Sequence, residues 1–504
     1  MLDFFDYQDE GIAFGGERKK VYLAFDMGMG KTITGVGIAH QHGQKHTLLV
    51  AEKNEIVNSQ NFKKEIEAHF DDSFDYVSLR ETDIEHVRQS DNRMVCGINP
   101  DALVKLDDAD IQLFDCLIMD EATLAKTPTT KTFKAVKKMA KKMGLVTLLS
   151  GTPMMNGAAE LFAPLHLLDH PLAGDGSPKA QKAYEKIFAG GGYQKIRSTE
   201  GMSDAQVKKQ FWKYYQWTAK GANNLRVLRW LLDDAFMIRR KGDTKVFKKK
   251  ERRVEVVEKS PMWELEYKEA WDNYLIEAKT RNVNIKTVTE LRKLIENGKV
   301  YQVNSRHKAM RAVEDIAAGK YGERRIIIFS LFIETDELIK KALTDRGIAW
   351  RPFDELPDWK ASDDQVLVGR IKSHAKGGNA AEASVTLMID MDFVPSMNLQ
   401  AENRMDRPEQ KNEMEVVYYM AKGVGDVDAH VQKINRDKNR KIDEFMRSMD
   451  EAEADDVMRN LWPELKRKYP REFKTLEEGY KKTYLSDPVH YRGYSAPAVS
   501  VSLD

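Results

Sequence analysis

Cysteine is nearly absent from this chain: only Cys96 and Cys116 occur in 504 residues, both within apolar runs. That excludes a disulfide framework and a cysteine-rich zinc site, and it fits a reducing compartment. Long hydrophobic runs are missing too. No uninterrupted apolar stretch is long enough to span a bilayer, and no apolar segment follows a basic N-terminus, so neither a membrane protein nor a conventionally secreted one is expected. There is no excess of one charge, with 80 Lys and Arg against 79 Asp and Glu and a formal net charge of +1. Total charge therefore says nothing about a nucleic-acid partner, and only local charge can. No short-period repeat and no low-complexity tract is visible.

What is present is a hydrophobic fraction of 42% in a long chain. That is too apolar for a mainly disordered protein and long enough for about three compact units. The first third alternates short apolar runs (21–25, 47–51, 94–98, 116–119 and 145–149) with amphipathic stretches such as 61–70 and 132–143. This rhythm predicts an α/β fold with a parallel sheet covered on both faces. The rhythm stops over 167–320, where Lys, Glu, Leu and aromatics at helical spacing predict a helical insertion, with a loop or hinge at 190–192. It returns at 326–329, 365–368, 385–389 and 415–420 as a second α/β unit. The expected divisions are 1–166, 167–320, 321–435 and a helical tail at 436–504, whose last residues, 495–504, read as a flexible end.

Three strand ends carry chemistry. Asp26-Met27-Gly28-Met29-Gly30-Lys31-Thr32 follows the first strand and precedes a helical stretch, the setting of a phosphate-binding loop. Glycines let backbone N–H groups wrap phosphates, Lys31 would reach the β- and γ-phosphates of ATP, and the Thr32 hydroxyl would hold Mg²⁺. Phe25 stands where the full loop pattern has its first glycine. Asp120-Glu121-Ala122-Thr123 follows another strand, so Asp120 would hold Mg²⁺ and Glu121 would polarise the attacking water. An acidic first turn of a helix is the alternative. Ser150-Gly151-Thr152-Pro153 ends a third strand, where short hydroxyls can bond the carboxylate loop; a plain Gly-Pro turn is the alternative.

These motifs, in this order, resemble helicase superfamily two, and in detail its Swi/Snf-like branch. Tyr7-Gln8 with Gly11 resembles the adenine-contacting glutamine motif. Asp120–Thr123 with Lys126 resembles the DEAH-and-lysine motif, and Ser150–Pro153 with Asn156 and Glu160-Leu161 resembles the GTPxxN motif. Phe236-Met237-Ile238-Arg239-Arg240-Lys241 resembles the branch-specific basic motif, and 326–332 the opening strand of a second motor lobe. Asp390, Asp392, Pro395, Gln400-Ala401, Arg404, Arg407 and Gln410 keep the family's spacing. The resemblance covers roughly 4–435, with a tail like the family's C-terminal brace. Four departures stand out. Thr123 replaces a histidine, Glu52 a proline, and Phe393-Val394 a Trp-Asn pair, while the stretch Lys376-Gly377-Gly378-Asn379 is about three residues short of the family's glycine-rich motif.

The resemblance implies two RecA-like lobes, with ATP held by Tyr7, Gln8, the residues from Asp26 to Thr32, and Gln400. Lys31, Asp120, Glu121, Arg404 and Arg407 would be catalytic, the two arginines spaced to share a helix face and to act as arginine fingers. Ser150, Gly151, Thr152, Arg239, Arg240, Lys241, Gly377 and Gly378 would couple hydrolysis to nucleic acid. The activity implied is an ATP-dependent translocase on duplex DNA with little sequence preference, remodelling bound proteins, forks or branched DNA. A strand-separating DNA or RNA helicase and an ATP-gated clamp without movement are the alternatives. No targeting module is visible, which favours a bare motor in a prokaryotic cell or the cytoplasm of a virus-infected host; protein partners are left open.

Local charge agrees with a nucleic-acid track. The stretch 239–253 holds nine Lys or Arg against two acids, and the segment 131–142 places Lys134, Lys138 and Lys141 on one helix face. A solvated face explains the second cluster equally well. The aromatic group Phe211, Trp212, Tyr214, Tyr215 and Trp217 could stack bases, but is expected to be the core of the helical insertion.

Overall fold

A computed structural model describes residues 3–52, 60–70, 73–79, 84–196, 202–280, 299–375, 378–423 and 427–479. The chain divides into two units: Met1–Asp26 with Gly30–Arg240 and Lys441–Asp504, and Met27–Met29 with Lys241–Arg440.

The first unit is built on a parallel sheet. Its strands are β1 (Lys20–Phe25), β2 (His46–Val50), β3 (Asp75–Ser78), β4 (Met94–Ile98), β5 (Cys116–Asp120) and β6 (Leu145–Leu149). After a separate hairpin of β7 (Gly192–Lys195) and β8 (Tyr215–Thr218), β9 (Phe236–Arg239) completes it in the order β3-β4-β2-β5-β6-β1-β9. Every residue of β2, β4 and β6 is buried. This is why these strands read as unbroken apolar runs: both sheet faces are covered. Register then places the site. Asp120 pairs with Leu149, and Leu23 pairs with the same Leu149 on its other side. The residues that follow β1, β5 and β6 therefore emerge together at the carboxyl edge, where open α/β sheets bind ligands.

The second unit has its own parallel sheet, ordered β10-β15-β14-β11-β13-β12. Its strands are β10 (Lys250–Val257), β11 (Ile326–Ser330), β12 (Trp350–Pro352), β13 (Val366–Arg370), β14 (Val385–Met388) and β15 (Met414–Ala421). Beneath it Lys308, almost fully buried, lies 3.3 Å from Asp390 and 3.0 Å from Asp428. Ser305 Oγ and the Leu331 amide also donate to Asp390, so this aspartate is an anchor of the core.

The stretch 167–320, expected as a helical insertion, supplies strands to both sheets as well as helices. Phe236–Arg239 is too short to show a period, yet Phe236 is buried and its ring stacks on Tyr22 at 4.4 Å. Lys250–Val257 is mostly charged and reads as surface. It is a strand because it pairs residue for residue with β15, from Lys250 opposite Met414 to Val257 opposite Ala421. The aromatic group is not a core either: Trp212 is 70% exposed, and none of Phe211, Tyr214, Tyr215 and Trp217 is buried. These rings gather around the β7–β8 hairpin, with Tyr193 4.9 Å from Phe211 and 5.1 Å from Trp217.

The tail from Lys441 folds into the first unit's core, where Phe445, Val457, Trp462, Leu465, Phe473 and Leu476 are buried. Trp462 lies 6.1 Å from Trp230, and Glu472 pairs with Lys186. The expected flexible end at 495–504 lies outside the described residues. Among the described residues no helix is long and apolar enough to cross a membrane.

Candidate active site

The loop after β1 is shaped by two glycines. Gly28 (φ +82°) and Gly30 (φ +68°) take the left-handed conformation that side chains disfavour, and Gly30 opens the helix Lys31–Gln41. A Cβ on Gly30 would sit 2.2 Å from Gln8 Nε2, so the Gln8 amide packs directly on the loop. Gln8 Oε1 accepts the Phe5 amide at 2.9 Å and caps its own helix, Asp6–Gly16. Tyr7 is buried, its ring 5.7 Å from Phe5 and 6.1 Å from Phe25. Lys31 Nζ donates to the carbonyls of Phe25 and Asp26, each at 3.1 Å.

Thr32 Oγ1 donates to Asp120 Oδ2 at 2.9 Å, joining the phosphate loop to the end of β5. Burial pushes the Asp120 carboxyl up, against the pull of Lys31 and the Thr32 bond. These are two adjacent hard oxygen donors, one a half-buried carboxyl that a divalent cation would favour in its ionised form, so the pair fits Mg²⁺. Glu121 has φ +61°, unusual for a residue with a side chain. Its Oε1 accepts Thr123 Oγ1 at 2.5 Å and Ser150 Oγ at 2.7 Å. Glu121 stands at the start of a short 3-10 turn, Ala122–Ala125, but its side chain does not cap that turn; it is held by hydroxyls from its own loop and from the end of β6. Ser150 Oγ also accepts the Thr152 amide at 3.1 Å, and Ser150, Gly151 and Thr152 are buried. Beyond them, Glu160 binds Lys126 at 2.9 Å, the Asn156 amide side chain at 2.8 Å and the Met155 and Asn156 backbone amides. Burial would raise the Glu160 carboxyl, but these donors hold it below the usual range.

The basic motif is engaged internally. Arg239 pairs with Glu10 at 2.8 Å; Arg240 pairs with Asp443 at 2.9 Å and lies 3.8 Å from Asp26. Lys241, in the second unit, lies 3.0 Å from Asp406. These cations pair with carboxylates far away in sequence, while Arg239 and Arg240 keep 35% and 37% of their side chains exposed. The helix Lys131–Lys142 keeps the predicted polarity, with Phe133, Val136, Met139 and Ala140 buried, while Lys138 and Lys142 pair with Asp108.

In the second unit, Arg404 and Arg407 do not share a helix face. The helix Pro395–Glu402 ends at Asn403 and both arginines lie in the turn beyond it. Arg404 is buried and donates to the carbonyls of Gln400 (3.1 Å) and Gly378 (2.8 Å). Gly378 (φ +81°) thereby ties the short glycine loop to the arginine turn, while Gly377 lies outside the described residues. Gln400 is buried in its helix. Two partners escaped sequence reading. Thr123 stood out only as a departure, yet it bonds Glu121, and Asp406 gave no signal of its partners because they lie more than 150 residues away.

Comparison with known proteins bears on these residues. The model of the SNF2-related domain matches residues 7–313. The chain is 23% identical over 453 residues to the SWI/SNF-related matrix-associated actin-dependent regulator of chromatin subfamily A-like protein 1 of Xenopus tropicalis, covering 83% of this chain and 43% of that protein. It is 28% identical over 240 residues to the mouse DNA annealing helicase and endonuclease ZRANB3, covering 46% of this chain and 20% of that one. The chain thus spans less than half the length of these curated relatives. Among solved structures, the Sulfolobus solfataricus SWI2/SNF2 ATPase core in complex with dsDNA aligns over 92% of this chain and 97% of that one, at 18% identity and a TM-score of 0.39.

Proposed function

Because the chain belongs to the SNF2-related family, we propose that it is a nucleic-acid-stimulated ATPase that moves along duplex DNA with little sequence preference. Its work would be the remodelling of bound proteins, forks or branched DNA. The observation that carries this reading is the junction of three strand ends, with Thr32 bonded to Asp120 and Ser150 bonded to Glu121. This junction supports reading Lys31 as the phosphate lysine, Thr32 and Asp120 as the metal-binding pair and Glu121 as the water-orienting carboxylate.

In this reading the loop amides and Lys31 hold the phosphates of ATP, and Thr32 and Asp120 hold Mg²⁺. The ion, when bound, neutralises charge on the phosphate oxygens. Glu121 orients the attacking water and takes its proton. Tyr7, Gln8 and Gln400 serve the nucleotide. Arg404 and Arg407 neutralise charge developing on the transferred phosphoryl group. Ser150 hands the state of Glu121 to the segment ending in Glu160. Phosphate contacts then fall to exposed lysines such as Lys134, Lys141, Lys245 and Lys248, which carry no base information. The mouse relative's name, an annealing helicase, supports joining of strands over their separation. The free, buried thiols of Cys96 and Cys116 support a reducing cytoplasm, prokaryotic or virus-infected.

The test is ATP turnover against duplex DNA, single-stranded DNA and duplex RNA at two salt concentrations. Duplex DNA should stimulate most, with stimulation falling steeply as salt rises. Stimulation by RNA alone would overturn the DNA assignment, and stimulation by single strands but not duplex would favour the strand-separating helicase.

A further inference from the structure

The turn that carries Arg404 and Arg407 is held by a cluster of buried charges supplied from another part of the second unit. Lys241 Nζ donates to the Asp406 carbonyl at 2.7 Å, lies 3.0 Å from Asp406 Oδ1 and 3.4 Å from Asn403 Oδ1. Lys250 Nζ lies 2.7 Å from Asp406 Oδ2 and donates to Asn403 Oδ1 at 2.8 Å. Arg252 grips Glu402 at 2.6 Å, and Tyr418 donates to the same carboxylate. The Asp406 and Glu402 side chains are 3% and 1% exposed. Taking this many ions from water is costly, and apolar packing would often serve stability as well. What the ions add is direction: they fix Glu402 and Asn403 ahead of Arg404, and Asp406 between the two arginines.

We infer that Lys241 is a positioning residue, which with Lys250 locks the turn from Asn403 to Asp406 and so aims the two arginines for turnover. The inference rests on the reading that Arg404 and Arg407 act on the phosphoryl group. It moves Lys241 from the nucleic-acid face, where its place in the basic motif put it, to the interior of the second unit.

Lys241 also titrates in a useful range. Burial lowers it to about 7, with Asp406 raising it and Lys250 and Arg407 lowering it further. The Phe247 ring lies 4.7 Å away, beside the neutral Asn403 amide. Lys241 is charged below that pH and neutral above it, so the lock weakens as pH rises through neutrality.

The experiment measures kcat and KM for MgATP on the full chain with saturating linear duplex DNA, across pH, for Lys241→Met, Lys241→Arg, Arg404→Ala, Arg407→Ala and the double variant Lys241→Met/Arg407→Ala. Lys241→Met should lower kcat about tenfold with KM changed little. In the Arg407→Ala background it should cost less than about twofold more, because both changes spoil one element. Wild-type kcat should fall above about pH 7. Lys241→Arg, which stays charged, should move that fall to higher pH. The pH profile decides the matter if Lys241→Met does not fold. Costs that multiply in the double variant, or a loss confined to DNA affinity with kcat intact, would overturn the inference alone. Normal turnover in both Arg404→Ala and Arg407→Ala would instead overturn the reading of the arginines, and the inference with it.

Discussion

Ser150 Oγ donates to Glu121 Oε1 at 2.7 Å, a bond between the ends of neighbouring strands 29 residues apart. It exists because Asp120 is in register with Leu149, so the next residue of each strand must meet at the sheet's edge. A carboxylate assigned to water activation is thereby tied to a loop whose far end, at Asn156, is organised by Glu160.

The chemistry of the loop and the carboxylate can be separated. Lys31→Ala should reduce ATP hydrolysis by about 10²–10³-fold or more, because a preorganised positive group is lost. Glu121→Gln should bind nucleotide normally and hydrolyse it about 10²–10⁴-fold more slowly. Nucleotide titration beside phosphate release distinguishes the two, and wild-type turnover in Glu121→Gln would remove this assignment.

The two hydroxyls on Glu121 are expected to act on kcat. Removing a donor to a charged acceptor costs about 1.5–3 kcal/mol, so Ser150→Ala or Thr123→Ala should slow turnover by roughly ten- to hundredfold with little change in nucleotide affinity. Thr123→Ser keeps the donor and should stay close to wild type. A Thr123→Ser as slow as Thr123→Ala would show that the methyl group, not the bond, matters.

Arg404 and Arg407 should part company in stability. Arg404→Ala strips two backbone carbonyls of a donor inside the second unit. It should lose about 2–3 kcal/mol, roughly 4–12 °C in Tm, beside its loss of turnover. Arg407→Ala should slow turnover with a smaller change in Tm. Calorimetry beside steady-state kinetics reads both, and equal Tm changes would count against the assigned bonds.

The first unit should weaken in mild acid through His166. Burial lowers this imidazole to about 4, and Nε2 is enclosed without a hydrogen-bond partner. The unfolded chain takes up the proton near pH 6.5, so stability is full above that value and lost as pH falls from 6.5 toward 4. His166→Leu, which removes the titrating group, should flatten this part of the Tm-against-pH curve. An unchanged curve would place the acid sensitivity elsewhere.

The sequence by itself determined the phosphate loop, the carboxylate pair and the apolar strands that carry them. Each is local: glycines with a lysine after a buried strand need no distant partner to be recognised, and a covered parallel strand must be apolar throughout. Tertiary structure alone decided what the polar stretches became. Lys250–Val257 reads as charged surface, and it is a strand because β15 offers a complementary edge. The spacing of Arg404 and Arg407 suggested a helix face, but the helix stops at Glu402 and a cluster of buried ions shapes the turn beyond it. Arg239, Arg240 and Lys241 read as one basic motif, and only the fold gives them Glu10, Asp443 and Asp406 as partners. A cation's partner depends on which carboxylate the fold brings within a few ångströms, and no pattern along the chain records that distance.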